Sequence, residues 1–154
     1  MVSETNVEAA IQMAIAREQD AYDLYTNAKG MVTDAPTIDM LDDLAQQELQ
    51  HKAKLATMLE GDVDKIIARD SYSRYTDLKI GDYLAPAKLE EGADFQTVLI
   101  VAMQKEKDSN EFYAEMAKLT TGAAKELFEF LAGQEMIHKN KLEALYDEIV
   151  YQEN

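Results

Sequence analysis

A bundle of four helices, all-α and built from a duplicated helix pair, is the fold class that this sequence predicts, on three observations. Composition is the first: 154 residues include only two prolines and six glycines, while Ala, Leu, Glu, Lys and Met abound, which favours helix over sheet. An internal repeat is the second. The stretch LAQQELQHKAKL at 44–55 returns at 131–142 as LAGQEMIHKNKL, identical at eight of twelve positions with an offset of 87. Periodicity is the third, since four segments carry apolar residues at the alternating three- and four-residue spacing of a bundle seam.

The first helix is expected over 6–29, capped by Ser3, Thr5 or Asn6 and stopped by Gly30. Its seam runs Val7, Ile11, Ala14, Glu18, Ala21, Tyr25, with Glu18 in the middle of an apolar face. Asp34 and Pro36 suit a turn and a helix start, and the second helix is expected over 37–60, closed by Gly61. Leu41, Leu44, Glu48, His51, Leu55 and Met58 form its seam. The crossover 61–94 is the least regular stretch, with a short helix expected over 62–69 and Tyr72, Tyr75, Gly81, Tyr83 and Pro86 spaced like a loop with aromatic anchors. A connection this long is what a bundle needs when its second and third helices run parallel.

Asp94 caps a third helix over 95–119, whose seam is Phe95, Leu99, Ala102, Glu106, Ser109, Tyr113, Met116, and which ends near Gly122. The fourth helix, over 123–151, has the seam Ala124, Phe128, Leu131, Glu135, His138, Leu142, Leu145, Ile149. Residues 102–113 repeat 14–25 with an offset of 88, keeping the Glu and Tyr and exchanging Arg17 for Lys105. The chain is therefore one helix pair used twice. Met13, Met40, Met58, Met103 and Met116 read as core filler at helical spacing.

The length suits a single domain, 1–154. A formal charge of −15 argues against nucleic acid and against an anionic membrane surface. The absence of cysteine excludes disulfides, thiolate-bound zinc and iron–sulfur clusters. The N-terminus has no basic segment followed by an apolar run, and the longest apolar run, 98–103, is far too short for a membrane span. A cytoplasmic protein is the expectation.

Both histidines of the chain sit three residues after a glutamate, as Glu48/His51 and Glu135/His138. Positions i and i+3 share a helix face, so each pair offers a carboxylate and an imidazole to one point. Glu18 and Glu106 match each other in the repeat and fall on the inward seams of their helices. Four seams thus bring four glutamates and two histidines into one layer of one core. Unpaired, such carboxylates would each cost several kcal/mol to desolvate; two divalent cations would neutralise them. A Glu from each of two helices and Glu-x-x-His from each of the other two is the ligand pattern of di-iron and di-manganese bundle proteins. Mixed carboxylate and imidazole ligands suit iron or manganese, and zinc can substitute.

With these residues in hand, the chain resembles the rubrerythrin branch of the ferritin-like superfamily, over roughly 6–60 and 94–151. The resemblance implies a ferritin-like bundle, two iron ions held by Glu18, Glu48, His51, Glu106, Glu135 and His138 with Glu48 and Glu135 bridging, and reduction of peroxide. Three departures stand out. Ser109 occupies the position where rubrerythrins usually carry a second third-helix glutamate that switches ligation. No cysteine-rich rubredoxin-like tail is present, so an external electron donor, such as a rubredoxin-like protein, is expected. Leu49 stands where bacterioferritins place a haem-ligating Met, so no haem is expected.

Tyr25 and Tyr113 lie two turns beyond Glu18 and Glu106 on the same seams, and are the candidate active-site tyrosines. A buried phenol needs a hydrogen-bond partner, and a ligand carboxylate on a neighbouring helix is the nearest candidate. Two functions are compatible with these features: a redox enzyme that reduces peroxide or oxidises Fe(II), and an iron-buffering or delivery protein without significant turnover. A homodimer paired through a flat helix face, with Tyr72, Tyr75 and Tyr83 packed against the second copy, is the expected assembly.

Overall fold

The computed structural model describes residues 4–61, 89 and 92–153. Four helices account for nearly all of them: α1 (Glu4–Lys29), α2 (Ala35–Leu59), α3 (Phe95–Leu119) and α4 (Gly122–Glu153). Among the described residues there is no strand, and no helix is long and apolar enough to cross a membrane. The short helix expected over 62–69 and the tyrosines Tyr72, Tyr75 and Tyr83 lie outside the described residues.

Local signals place the helix ends. Asp34 caps α2 in an extended conformation, its carboxylate accepting from the Thr37 amide at 3.2 Å, with Pro36 in the first turn. Asp94 caps α3 in the same way, accepting from the Thr97 amide at 2.8 Å. Bonds from Thr37 and Thr97 hold both carboxyls below the usual carboxylate range. Because α1 begins at Glu4, Thr5 and Asn6 lie inside it, while Ser3, the other capping candidate, lies outside the described residues. α3 ends at Leu119, close before Gly122, and Gly122 opens α4 with φ +62°. It makes the tight reversal out of α3, which ends in the extended Thr120.

Contacts between helices give their directions. Lys52 donates to Gln19 and Lys29 to Asp42, both at 2.8 Å, so α1 and α2 are antiparallel. Tyr25 reaches Glu106 and Tyr113 reaches Glu18, so α1 and α3 are antiparallel too. Hence α2 and α3 run parallel, and the chain between them must travel back along a helix of about 37 Å. That is the ferritin-like connectivity. The closest packing is within the two sequential hairpins, α1 with α2 and α3 with α4.

The buried apolar residues fall into two clusters. One joins Ile11, Ala14, Leu55, Phe112, Met116 and Phe128; the other joins Leu24, Leu41, Leu44, Leu99, Leu142 and Leu145. Between them lies one layer of buried polar residues. Of the methionines expected as core, Met116 is fully buried, whereas Met13 is 39% exposed.

Gly122 tests the reversal between the hairpin helices. A side chain at φ +62° is strained even though nothing crowds its Cβ, so Gly122→Ala is expected to cost about 1 kcal/mol of stability in urea unfolding.

Candidate metal centre

Each hairpin delivers half of the polar layer. α1 supplies Glu18 and α2 supplies Glu48 and His51; α3 supplies Glu106 and α4 supplies Glu135 and His138. All six are at most 3% exposed. The helical period puts each Glu-x-x-His pair on one inward face, and the flanking leucines hold that face in the core.

The six side chains form two overlapping quartets. Glu18, Glu48, His51 and Glu135 each offer an atom within 4.8 Å of the others, and so do Glu48, Glu106, Glu135 and His138. Glu48 and Glu135 belong to both. Glu48 directs Oε1 to His138 Nδ1 at 2.7 Å and Oε2 towards His51 Nδ1 at 3.9 Å. Glu135 does the reverse, with Oε1 hydrogen-bonded to His51 Nδ1 at 2.9 Å and Oε2 3.8 Å from His138 Nδ1. Each of these carboxylates therefore spans the two imidazoles, which lie nearly parallel with ring centres 5.7 Å apart.

Glu18 and Glu106 are held differently. The Tyr113 hydroxyl donates to Glu18 Oε1 at 2.7 Å, and the Tyr25 hydroxyl donates to Glu106 Oε1. In both glutamates the other oxygen, Oε2, has no hydrogen-bond partner. The phenols thus select which oxygen faces the centre. His138 Nδ1 and Glu48 Oε1, despite their 2.7 Å approach, meet at angles that make no hydrogen bond, and both are also without a partner. Buried polar atoms almost always find partners. Four unpartnered buried atoms, from carboxylates and imidazole and shared between the two quartets, form a donor set that fits divalent cations.

Electrostatics point the same way. Burial pushes the Glu48 and Glu135 carboxyls well above their usual range, and repulsion from the neighbouring glutamates pushes them further. Glu106 goes the other way: burial opposes ionisation, but the closeness of Glu135 and His138 and the bond from Tyr25 pull it down. Burial, reinforced by the adjacent carboxylates, raises both phenols well above the ordinary tyrosine value, so they remain donors.

A cavity of about 10 Å³, enough for about one water, opens between α1 and α3. All four glutamates line it, together with Arg17, Lys105 and Ser109, and neither histidine does. Arg17, only 7% exposed, donates to the Lys105 carbonyl at 3.2 Å and joins the two helices beside the site. The imidazoles therefore close one side of the layer, and the other side keeps a small opening flanked by two basic side chains.

Sequence reasoning missed three contributors. Gln47 accepts from His138 Nε2 at 2.9 Å, Arg17 is buried beside the cavity, and Phe130 meets the His51 ring edge-on at 6.3 Å. Two had a signal: Gln47 precedes Glu48 as Gln134 precedes Glu135, and Arg17 precedes Glu18 as Lys105 precedes Glu106. Phe130 had none, since its counterpart in the repeat is Asp43.

Fold and site together define a class, a ferritin-like four-helix bundle with a buried carboxylate–histidine cluster at its centre. Comparison with known families narrows it. The Rubrerythrin family profile matches residues 1–59 and 54–146, and the chain belongs to that family. Among solved structures, "Hypothetical Protein Pfu-1136390-001 From Pyrococcus furiosus" superposes with a TM-score of 0.70 at 21% identity, covering 95% of this chain and 91% of that one, a similarity of fold. No functionally curated protein matches the chain.

The raised carboxyls make stability pH-dependent. A carboxyl raised in the folded state contributes stability that is present below its unfolded pKa and is lost as pH rises through the folded value. Glu106, lowered, acts only below the ordinary carboxylate range. Without added metal, the thermal midpoint should therefore fall as pH rises above the ordinary carboxylate range; saturating divalent metal should abolish or reverse the trend. A midpoint that rises with pH above that range in metal-free protein contradicts the assignment.

Proposed function

We propose that this chain is a di-iron redox protein that reduces hydrogen peroxide, or oxidises Fe(II) with peroxide or oxygen as acceptor. The observation that carries the reading is the pair of four-residue sets sharing Glu48 and Glu135, beside an opening lined by all four glutamates. In this reading Glu18 and His51 would hold one ion, Glu106 and His138 the other, and Glu48 and Glu135, which belong to both sets, would be shared between them. Manganese or zinc can take the same donors.

Bound iron supplies one-electron redox chemistry, and two such ions match the two electrons that reduction of one H₂O₂ to two waters requires, along with two protons. The protein's share is placement. Tyr25 and Tyr113 each tie one oxygen of a terminal glutamate and leave Oε2 for the ion. The two apolar clusters exclude water above and below the layer. The cavity between α1 and α3 admits a ligand of about two heavy atoms only if its lining yields. Arg17 and Lys105 place positive charge beside it on a chain whose net charge is −15. An external electron donor belongs to the proposal, since the chain has no cysteine to carry an electron-transfer cluster.

Ser109 lines the cavity with a short neutral side chain, and this observation favours the second reading, an iron buffer or delivery protein. Rapid mixing of the di-ferrous protein with peroxide separates the two. Complete oxidation of both irons by one equivalent, within a fraction of a second, is expected. Slow oxidation that ignores stoichiometry identifies the buffer.

Glu135→Ala removes a carboxylate shared by both sets. It is expected to bind at most one ion and to lose peroxide turnover, as read by metal analysis and peroxide consumption. Undiminished consumption by this variant would contradict the proposed roles.

A further inference from the structure

The duplication makes the two halves of the centre equal in their ligands, but the residues behind the histidines differ. Behind His138 lies a chain of polar contacts. Its Nε2 is 2.9 Å from Gln47 Oε1, and Gln47 Nε2 donates to Asp43 Oδ2 at 2.7 Å. Asp43 is exposed and His138 is fully buried, so the contacts run from the surface to the centre. Behind His51 the repeat places Phe130 where the first copy has Asp43. The His51 ring meets the Phe130 ring edge-on, and Lys54 Nζ stands 4.3 Å over that ring's centre.

Each link in the polar chain has one chemically allowed direction. An ionised carboxylate only accepts, so Asp43 requires the NH₂ end of the Gln47 amide. That turns the Gln47 carbonyl towards His138. A carbonyl also only accepts, so His138 must carry its proton on Nε2. The Nδ1 lone pair is then free, and Nδ1 is the unpartnered buried atom facing Glu48 and Glu106. An aromatic edge such as that of Phe130 fixes the plane of an imidazole without dictating which nitrogen holds the proton.

We propose that Asp43 and Gln47 are positioning residues that lock His138 as an Nδ1 metal ligand, making the Glu106/His138 position the tighter of two inequivalent metal positions. The inference rests on the dinuclear reading above but not on redox turnover. Hydrogen bonds to the outer nitrogen of a ligating histidine fix its tautomer and raise its basicity, and their removal typically weakens metal binding about 10–100-fold. The inequivalence follows from Asp43 and Phe130 occupying the same place in the two repeats.

The experiment uses the full chain, with zinc as a diamagnetic probe and ¹⁵N-labelled histidine. Two histidines give two separately assignable rings. In the wild type, His138 should bind zinc through Nδ1 and keep a slowly exchanging Nε2 proton, and zinc titration should show two unequal affinities. Gln47→Leu should weaken the tighter affinity about 10–100-fold while leaving the other in place; Gln134→Leu should spare the tighter one. Asp43→Ala changes only an exposed side chain and removes the acceptor for the Gln47 amide, so it folds whether or not Gln47→Leu does. It should speed exchange of the His138 Nε2 proton and weaken the same affinity. Zinc bound to His138 through Nε2, equal losses from Gln47→Leu and Gln134→Leu, or wild-type behaviour of Asp43→Ala would each overturn the relay and leave the dinuclear site standing. A wild-type chain that binds no zinc at these residues overturns both.

Discussion

Four carboxylates buried in a single layer of a helical core are the constraint on which this structure depends. Each ionised carboxylate taken out of water costs several kcal/mol unless a cation or a set of donors replaces the solvent. The protein's own side chains meet this only in part. Two phenols and the His51 imidazole satisfy some oxygens, and burial and mutual repulsion push the Glu48 and Glu135 carboxyls upward. Three carboxylate oxygens and one imidazole nitrogen remain without partners. Apolar residues in this layer would fold more easily, so the layer is a feature of function.

The duplication explains how one short chain builds the centre. A helix pair supplies three donors, and two pairs packed with α1 antiparallel to α3 bring equivalent levels together, so that Glu18 meets Tyr113 and Glu106 meets Tyr25. Each tyrosine serves the glutamate of the other half, and neither hairpin completes its half alone. The same geometry makes α2 and α3 parallel and requires the long connection between them. Symmetry ends at the supporting residues, where Asp43 and Phe130 surround the two histidines with different chemistry.

Much of this was legible in the sequence, for identifiable reasons. The helix seams and the six inward Glu and His residues follow from periodicity, because a buried helix face can be counted in steps of three and four. The partners of Tyr25 and Tyr113 were legible as a class, since a buried phenol must donate; which glutamate each one meets required the antiparallel packing of α1 and α3. Helix ends were less legible. Thr5 and Asn6 look like caps but lie inside α1, and Gly122 suits a helix end while making a reversal into the next helix. Least legible were contacts that depend on rotamers across helices: the amide of Gln47 on His138, the ring of Phe130 on His51 and the guanidinium of Arg17 on the Lys105 carbonyl. No seam position marks them.

Membership of the rubrerythrin family and the buried cluster agree on a metal centre, and the central claim is that this centre holds two ions at once. Metal analysis of the purified chain, combined with X-ray absorption at the metal edge, tests it most directly. Two ions per chain, about 3.5–4 Å apart with mixed oxygen and nitrogen neighbours, is the predicted result. A single ion per chain at saturation, or two ions with no metal neighbour at that distance, would contradict it.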